Sequence, residues 1–289
     1  MSPPKGNLPP SSAHQDPRPR SNLATRLLTA AVVAPLIFLL LFFGPAWGFT
    51  ALIFGATILS AFEFFSMSHP GDAVARGFGV LVTVAVAAVL FWHGDEPRAL
   101  VTVIAALPLL SILLALFRLG EIRTAAARMA ATTFGPLWLA LLTFLALLRE
   151  RQGEQGPGFV LMTLMFAWLA DSAGYFAGRY FGRHKLYEAV SPKKTVEGFA
   201  GALLGAVLGA LIAHFWYLPS IPLAHALGLA VVAGALGQLG DLGESLLKRS
   251  TGVKNSGEIV PGHGGMLDRL DALFVTSALV YLYTLWVKP

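Results

Sequence analysis

The segment 245–271, SLLKRSTGVKNSGEIVPGHGGMLDRLD, gathers Lys248, Arg249, Lys254, His263, Asp268, Arg269 and Asp271 in a chain of which only 13% of residues are charged. It lies between two hydrophobic runs, and another acid, Asp241, stands just upstream. Such a cluster is costly beside lipid unless water, a metal or a charged ligand meets it. Continued helix through GDLGESLLK places Asp241, Glu244, Ser245 and Lys248 at i, i+3, i+4 and i+7, on one face. Carboxylates and a hydroxyl next to an ammonium suit a hard cation with a phosphate nearby. The same set also reads as an internal salt bridge in a solvated helix end. PGHGG is a turn, and MLDRLD opens the last helix with Asp268 and Asp271 three residues apart on one face. Acids in a first turn complement the helix dipole; two on one face plus Asp241 exceed that need. Oxygen-only ligands and the absence of Cys favour Mg²⁺ over zinc, and His263 alone is not a zinc site.

Two upstream groups have comparable character. Asp171 lies inside an apolar run and shares a helical face with Gly174, Tyr175, Gly178 and Gly182. It reads either as the wall of a polar cavity or as a structural acid paired with Arg179 or another basic group. The loop SPKKTVEG (191–198) sets Lys193 and Lys194 beside Ser191 and Thr195, just before a helix. Two lysines and hydroxyls at a helix N-terminus suit a phosphate. A topology signal with a helix cap accounts for the same residues. Glu63 is an isolated acid in an early span, and Gly201, Gly205 and Gly209 form a GxxxGxxxG packing seam, within or between subunits.

The elements that must position these groups are membrane spans. At 289 residues and 55% hydrophobic, with long apolar runs, the chain reads as an all-α, polytopic membrane protein. Nine runs approach bilayer length: 27–43, 47–65, 76–93, 99–117, 132–148, 159–181, 198–217, 221–239 and 270–287. They are too long and too uniformly apolar for barrel strands. Residues 1–25 form a Pro/Ser/Arg-rich tail expected to be disordered, and the first run reads as a retained anchor. Residues 26–156 read as scaffold spans, and 157–289, where acids, Gly-rich faces and basic loops appear, as the working part packed against them. With the N-terminus inside, only Arg98, Arg149, Arg151 and Lys288 of the 21 Lys and Arg residues fall on the outer side. This puts both charged loops in the cytoplasm, where nucleotides are available. The net charge of +5 is thereby a topology signal and not a nucleic-acid footprint.

GDLGESLLKR, then Lys254, then PGHGGMLDRLD, together with ADSAGYFAGRYFGRHK and SPKKTVEG, resembles the signature of the phosphatidate cytidylyltransferases, or CDP-diacylglycerol synthases. The resemblance covers about 157–275. It implies that CTP and phosphatidate give CDP-diacylglycerol and pyrophosphate with Mg²⁺, in a homodimer seated in the plasma membrane. It implies a cation site at Asp241 and Asp268, with a second cation in view. On this reading Ser245 and Asp271 support the metal, and Lys193, Lys194, Lys248, Arg249 and Arg269 neutralise phosphates. Ser191, Lys254, His263 and Asp171 join the substrate-binding set. One departure stands out: the family usually has Lys-Asp where this chain has Lys254-Asn255. Two other functions compete, a CTP-dependent lipid kinase that would move the γ-phosphoryl group and a transporter with Asp171 and Asp241 in its path.

Overall fold

The computed structural model describes residues 23–257 and 264–287. The tail up to residue 22, and Pro261, Gly262 and His263 of the turn, lie outside the described residues. Among the described residues ten α-helices follow one another: α1 Leu23–Phe43, α2 Ala46–Ser68, α3 Ala73–His93, α4 Pro97–Phe117, α5 Ala125–Ala140, α6 Thr143–Arg151, α7 Gly156–Phe181, α8 Val196–Ile212, α9 Leu223–Ser250 and α10 Leu267–Trp286. A hairpin of β1 Lys185–Tyr187 and β2 Ser191–Thr195 joins α7 to α8.

This is an all-α polytopic membrane protein. Among the described residues seven helices, counting α5 with α6 as one, are long and apolar enough to cross a bilayer. The first and last of the nine expected runs form α1 and α10, and α10 opens with Asp268, Arg269 and Asp271. Large apolar side chains stand exposed around the bundle, among them Phe117, Phe43, Phe181 and Trp286. A water-facing surface would not carry so many; lipid tails solvate them instead.

One core runs from Leu41 on α1 to Tyr283 on α10, with Phe64, Phe65, Phe159, Phe166 and Phe274 fully buried in it. Around it α2, α3, α4 and α5 pack on one another, and α7 to α10 form the second group. The tightest contact is between α7 and α8, and glycine makes it possible. A Cβ added to Gly201 would stand 2.9 Å from the Ala173 carbonyl oxygen, and one on Gly205 would overlap the Leu169 carbonyl. Gly174 and Gly198 face each other across the seam, each leaving a Cβ only 3.1 Å from the other's carbonyl oxygen. The GxxxGxxxG face is thus a seam within one chain, with two backbones in near contact.

Candidate active site

Local chemistry explains how SPKKTVEG is held. The Thr195 hydroxyl accepts the Gly198 N–H at 3.1 Å and caps α8. Glu197 turns back, accepting the Arg183 N–H at 3.0 Å and pairing with His184 Nδ1 at 2.6 Å. The segment read as a loop is therefore a strand for five residues, Ser191–Thr195, in which backbone pairing with 185–187 fixes which way each lysine leaves. Lys193 is exposed, while Lys194 reaches across to α9. Its Nζ lies 2.7 Å from Asp241 Oδ2 and donates to the Gln238 carbonyl oxygen at 3.3 Å.

These residues line a cavity of about 380 Å³ between α7, the hairpin, α8 and α9. Asp171, Gly174, Tyr175 and Gly178 form one wall, Lys193, Lys194 and Thr195 another, and Gln238 with Asp241 the third. Asp171 Oδ1 accepts from Gln238 Nε2 at 3.2 Å, whereas Arg179 donates to its own neighbour Tyr175. The structural pairing of Asp171 with Arg179 is therefore not made. Ser191 is half-buried in β2.

Asp241 also belongs to a second group. Helix α9 continues to Ser250, about 42 Å at 1.5 Å per residue against a hydrocarbon layer of about 30 Å. It is therefore longer than a span requires, and its polar side chains are gathered in its last turns. Asp241, Glu244 and Asp271 each bring a carboxylate oxygen to within 4.8 Å of one another. Ser245 Oγ stands 3.5 Å from Asp241 Oδ1. Glu244 is fully buried; its Oε2 accepts from Lys248 Nζ at 2.8 Å, and its Oε1 has no hydrogen-bond partner.

Lys248 links this group to Asp268, whose Oδ1 it meets at 2.5 Å. Asp268 Oδ2 accepts the Ser256 and Gly265 N–H groups, both at 3.0 Å. The geometry thus gathers Asp241 with Glu244 and Asp271, and holds Asp268 one lysine away. Arg249 is exposed and donates to the Val253 carbonyl oxygen at the end of α9. Lys254, Asn255 and Arg269 are exposed too.

In the sequence Glu244 shares the cation-suited face of its helix but has no place in the site that the resemblance implies, and Glu63 stands isolated in its span. Glu63 is 2% exposed and reaches the same region from α2. Its Oε1 accepts the Met266 N–H at 3.0 Å, and its Oε2 accepts the Leu267 N–H and the Ser256 hydroxyl, both at 2.9 Å. The available signal was an acid in an apolar span with no neighbour in sequence to neutralise it.

The family model described as the cytidylyltransferase family matches residues 24–287. A phosphatidate cytidylyltransferase of Staphylococcus saprophyticus is 41% identical over 127 residues, 44% of this chain and 49% of that protein. The phosphatidate cytidylyltransferase of Bacillus subtilis is 42% identical over 134 residues, 46% of this chain and 50% of that one. That of Staphylococcus aureus is 39% identical over 127 residues, with 44% and 49% covered. The chain spans about half the length of the curated relatives it matches.

Proposed function

Because this chain belongs to the cytidylyltransferase family, we propose that it transfers a cytidylyl group from CTP to phosphatidate, giving CDP-diacylglycerol and pyrophosphate. The observation that carries the reading is the double membership of Asp241. It lines the cavity with Lys193 and Lys194, and it completes the acid cluster with Glu244 and Asp271. A site of this kind offers cations to phosphates on one side and oxygen ligands to a metal on the other.

The cluster fits a divalent cation. Its ligands are all oxygen, and the buried Glu244 Oε1 lacks a partner that an apolar surrounding makes costly to omit. Asp241, Glu244 and Asp271 would hold Mg²⁺, with Ser245 beside them. When bound, the ion neutralises charge on the triphosphate and on the leaving pyrophosphate. The chemistry asked of the protein is modest. An oxygen of the phosphatidate phosphate attacks the α-phosphorus of CTP, the bond to the β-phosphate oxygen breaks, and pyrophosphate departs in line. The nucleophile is already anionic, so alignment and charge neutralisation do the work. Lys193 and Lys194 receive phosphate oxygens in the cavity. Lys248 holds Glu244 and Asp268 in register, and Asp171 with Gln238 fixes the far wall.

Purified protein given phosphatidate, Mg²⁺ and α-labelled CTP is expected to put label into lipid. Label entering only from γ-labelled CTP identifies a lipid kinase instead, and no transfer from either sinks the reading. The same proposal seats the protein in the plasma membrane as a homodimer, with the site facing the cytoplasm. Mass measurement by light scattering in detergent checks the dimer.

A further inference from the structure

Glu63 belongs to α2, in the part of the chain read as scaffold, yet among the described residues its carboxylate makes three hydrogen bonds, all to the segment that carries Asp268 and Asp271. Ser256 is gripped from both sides: its hydroxyl donates to Glu63 at 2.9 Å, and its N–H donates to Asp268 at 3.0 Å. The Met266 and Leu267 N–H groups stand at the start of α10, where the helix itself supplies no carbonyl acceptor, and no side chain of α10 caps them. Two glycines leave room for the carboxylate. A Cβ on Gly257 would come within 2.5 Å of Glu63 Oε1, and one on Gly265 would overlap both Glu63 and Ser256 Oγ. Gly264, with φ +83°, supplies the turn immediately before Gly265.

The geometry points to Glu63 as a positioning residue for the cation site: a remote N-terminal cap on α10 that fixes the axial position and rotation of this helix. Those two coordinates decide whether Asp271 meets Asp241 and Glu244, and whether Asp268 meets Lys248. A buried carboxylate is kept in an apolar bundle only when charge-assisted bonds satisfy it. Here the satisfying donors among the described residues lie about two hundred residues away in sequence. The energy of that burial is therefore tied to one placement of α10. This deepens the reading above, since it rests on the acid cluster being a cation site.

The test uses the full chain in detergent, Mn²⁺ as the metal probe read by electron paramagnetic resonance, and hydrogen exchange read by mass spectrometry. Glu63→Ala removes all three bonds. Glu63→Gln with its oxygen at the Oε2 position keeps the Leu267 and Ser256 bonds and loses the Met266 one. Groups that orient metal ligands are worth about 10–100-fold in affinity. Glu63→Ala is expected to weaken Mn²⁺ binding by about that factor, with Glu63→Gln between it and the parent. Exchange at Met266 and Leu267 should quicken while the α7–α8 seam stays unchanged. Faster exchange with unaltered Mn²⁺ affinity overturns the proposal, because the clamp would then be structural only. Unaltered exchange overturns it as well, as does a parent that binds no Mn²⁺. If Glu63→Ala does not fold, Glu63→Gln and Ser256→Ala decide by the same two readouts. Cytidylyl transfer is scored separately. Its absence from a Mn²⁺-binding parent sinks the proposed reaction, while affinity and exchange alone judge Glu63.

Discussion

Lys248 stands between two carboxylates, Glu244 at 2.8 Å and Asp268 at 2.5 Å, and is itself only 8% exposed. Removing one partner of a buried ion pair strands the other, at about 3–5 kcal/mol. Lys248→Met is therefore expected to lower the thermal midpoint strongly, and the double change with Glu244→Gln to recover part of the loss; equal midpoints for both variants contradict this. The resemblance assigns the cation to Asp241 and Asp268, whereas the geometry groups Asp241 with Glu244 and Asp271. Mn²⁺ titration of Asp268→Asn and Asp271→Asn separates the two ligand sets, and the larger loss is expected in Asp271→Asn. Asn255 is exposed and outside the acid cluster. Restoring the acid usual in the family, Asn255→Asp, should leave the Mg²⁺ dependence of transfer within about twofold, as for surface changes away from a site. A larger shift brings that position into the metal's reach.

Among the elements, α7 and α8 have the least tolerance for change. A methyl at Gly205 would overlap the Leu169 carbonyl, a backbone atom that cannot rotate away. Overpacking of this kind costs about 1–3 kcal/mol, so Gly205→Ala should lower thermal stability. Gly228 in α9 has nothing within 4 Å of an added Cβ. Gly228→Ala should be neutral or stabilising by up to about 1 kcal/mol, and a matching loss at both sites would argue against the seam. The link between α2 and α3 is pinned differently. Asp72 caps α3 through the Ala75 N–H and receives Arg118 Nε and Nη2 at 3.1 and 3.0 Å. The Arg118 guanidinium, then the Ala75 N–H, hold this carboxyl below its usual range. Its stabilising effect is present above the ordinary carboxylate pKa and disappears as pH falls through the lowered one. Thermal midpoints measured from pH 6 downward should decline less in Asp72→Asn than in the parent. The effect is small, because the pair is solvent-exposed.

For the molecule as a whole, the apolar runs were legible because lipid demands length and uniformity of every span. The extension of α9 through GDLGESLLK was legible too, since the i, i+3, i+4, i+7 spacing needs only one helix. The hairpin was not: SPKKT carries no alternating apolar pattern, and its pairing with 185–187 depends on a turn of ordinary residues. Nor was Glu63, because the donors that satisfy it come from the far end of the chain and no local pattern announces them. The sidedness proposed from Lys and Arg is directly testable in a protein that has no cysteine. Single cysteines introduced at Lys254 and at Arg98 should react with an impermeant maleimide from opposite faces of sealed vesicles; labelling from the same face refutes it. The ion pair between Lys194 and Asp241 has a wider consequence. On the function proposed above, Lys194 serves a phosphate and Asp241 a cation, so either ligand would first have to part the pair. Whichever binds first does that for both. Nucleotide and divalent ion should therefore raise each other's affinity by the same factor, as thermodynamic reciprocity requires, and Lys194→Met should reduce that mutual help, leaving only the direct attraction between ion and triphosphate.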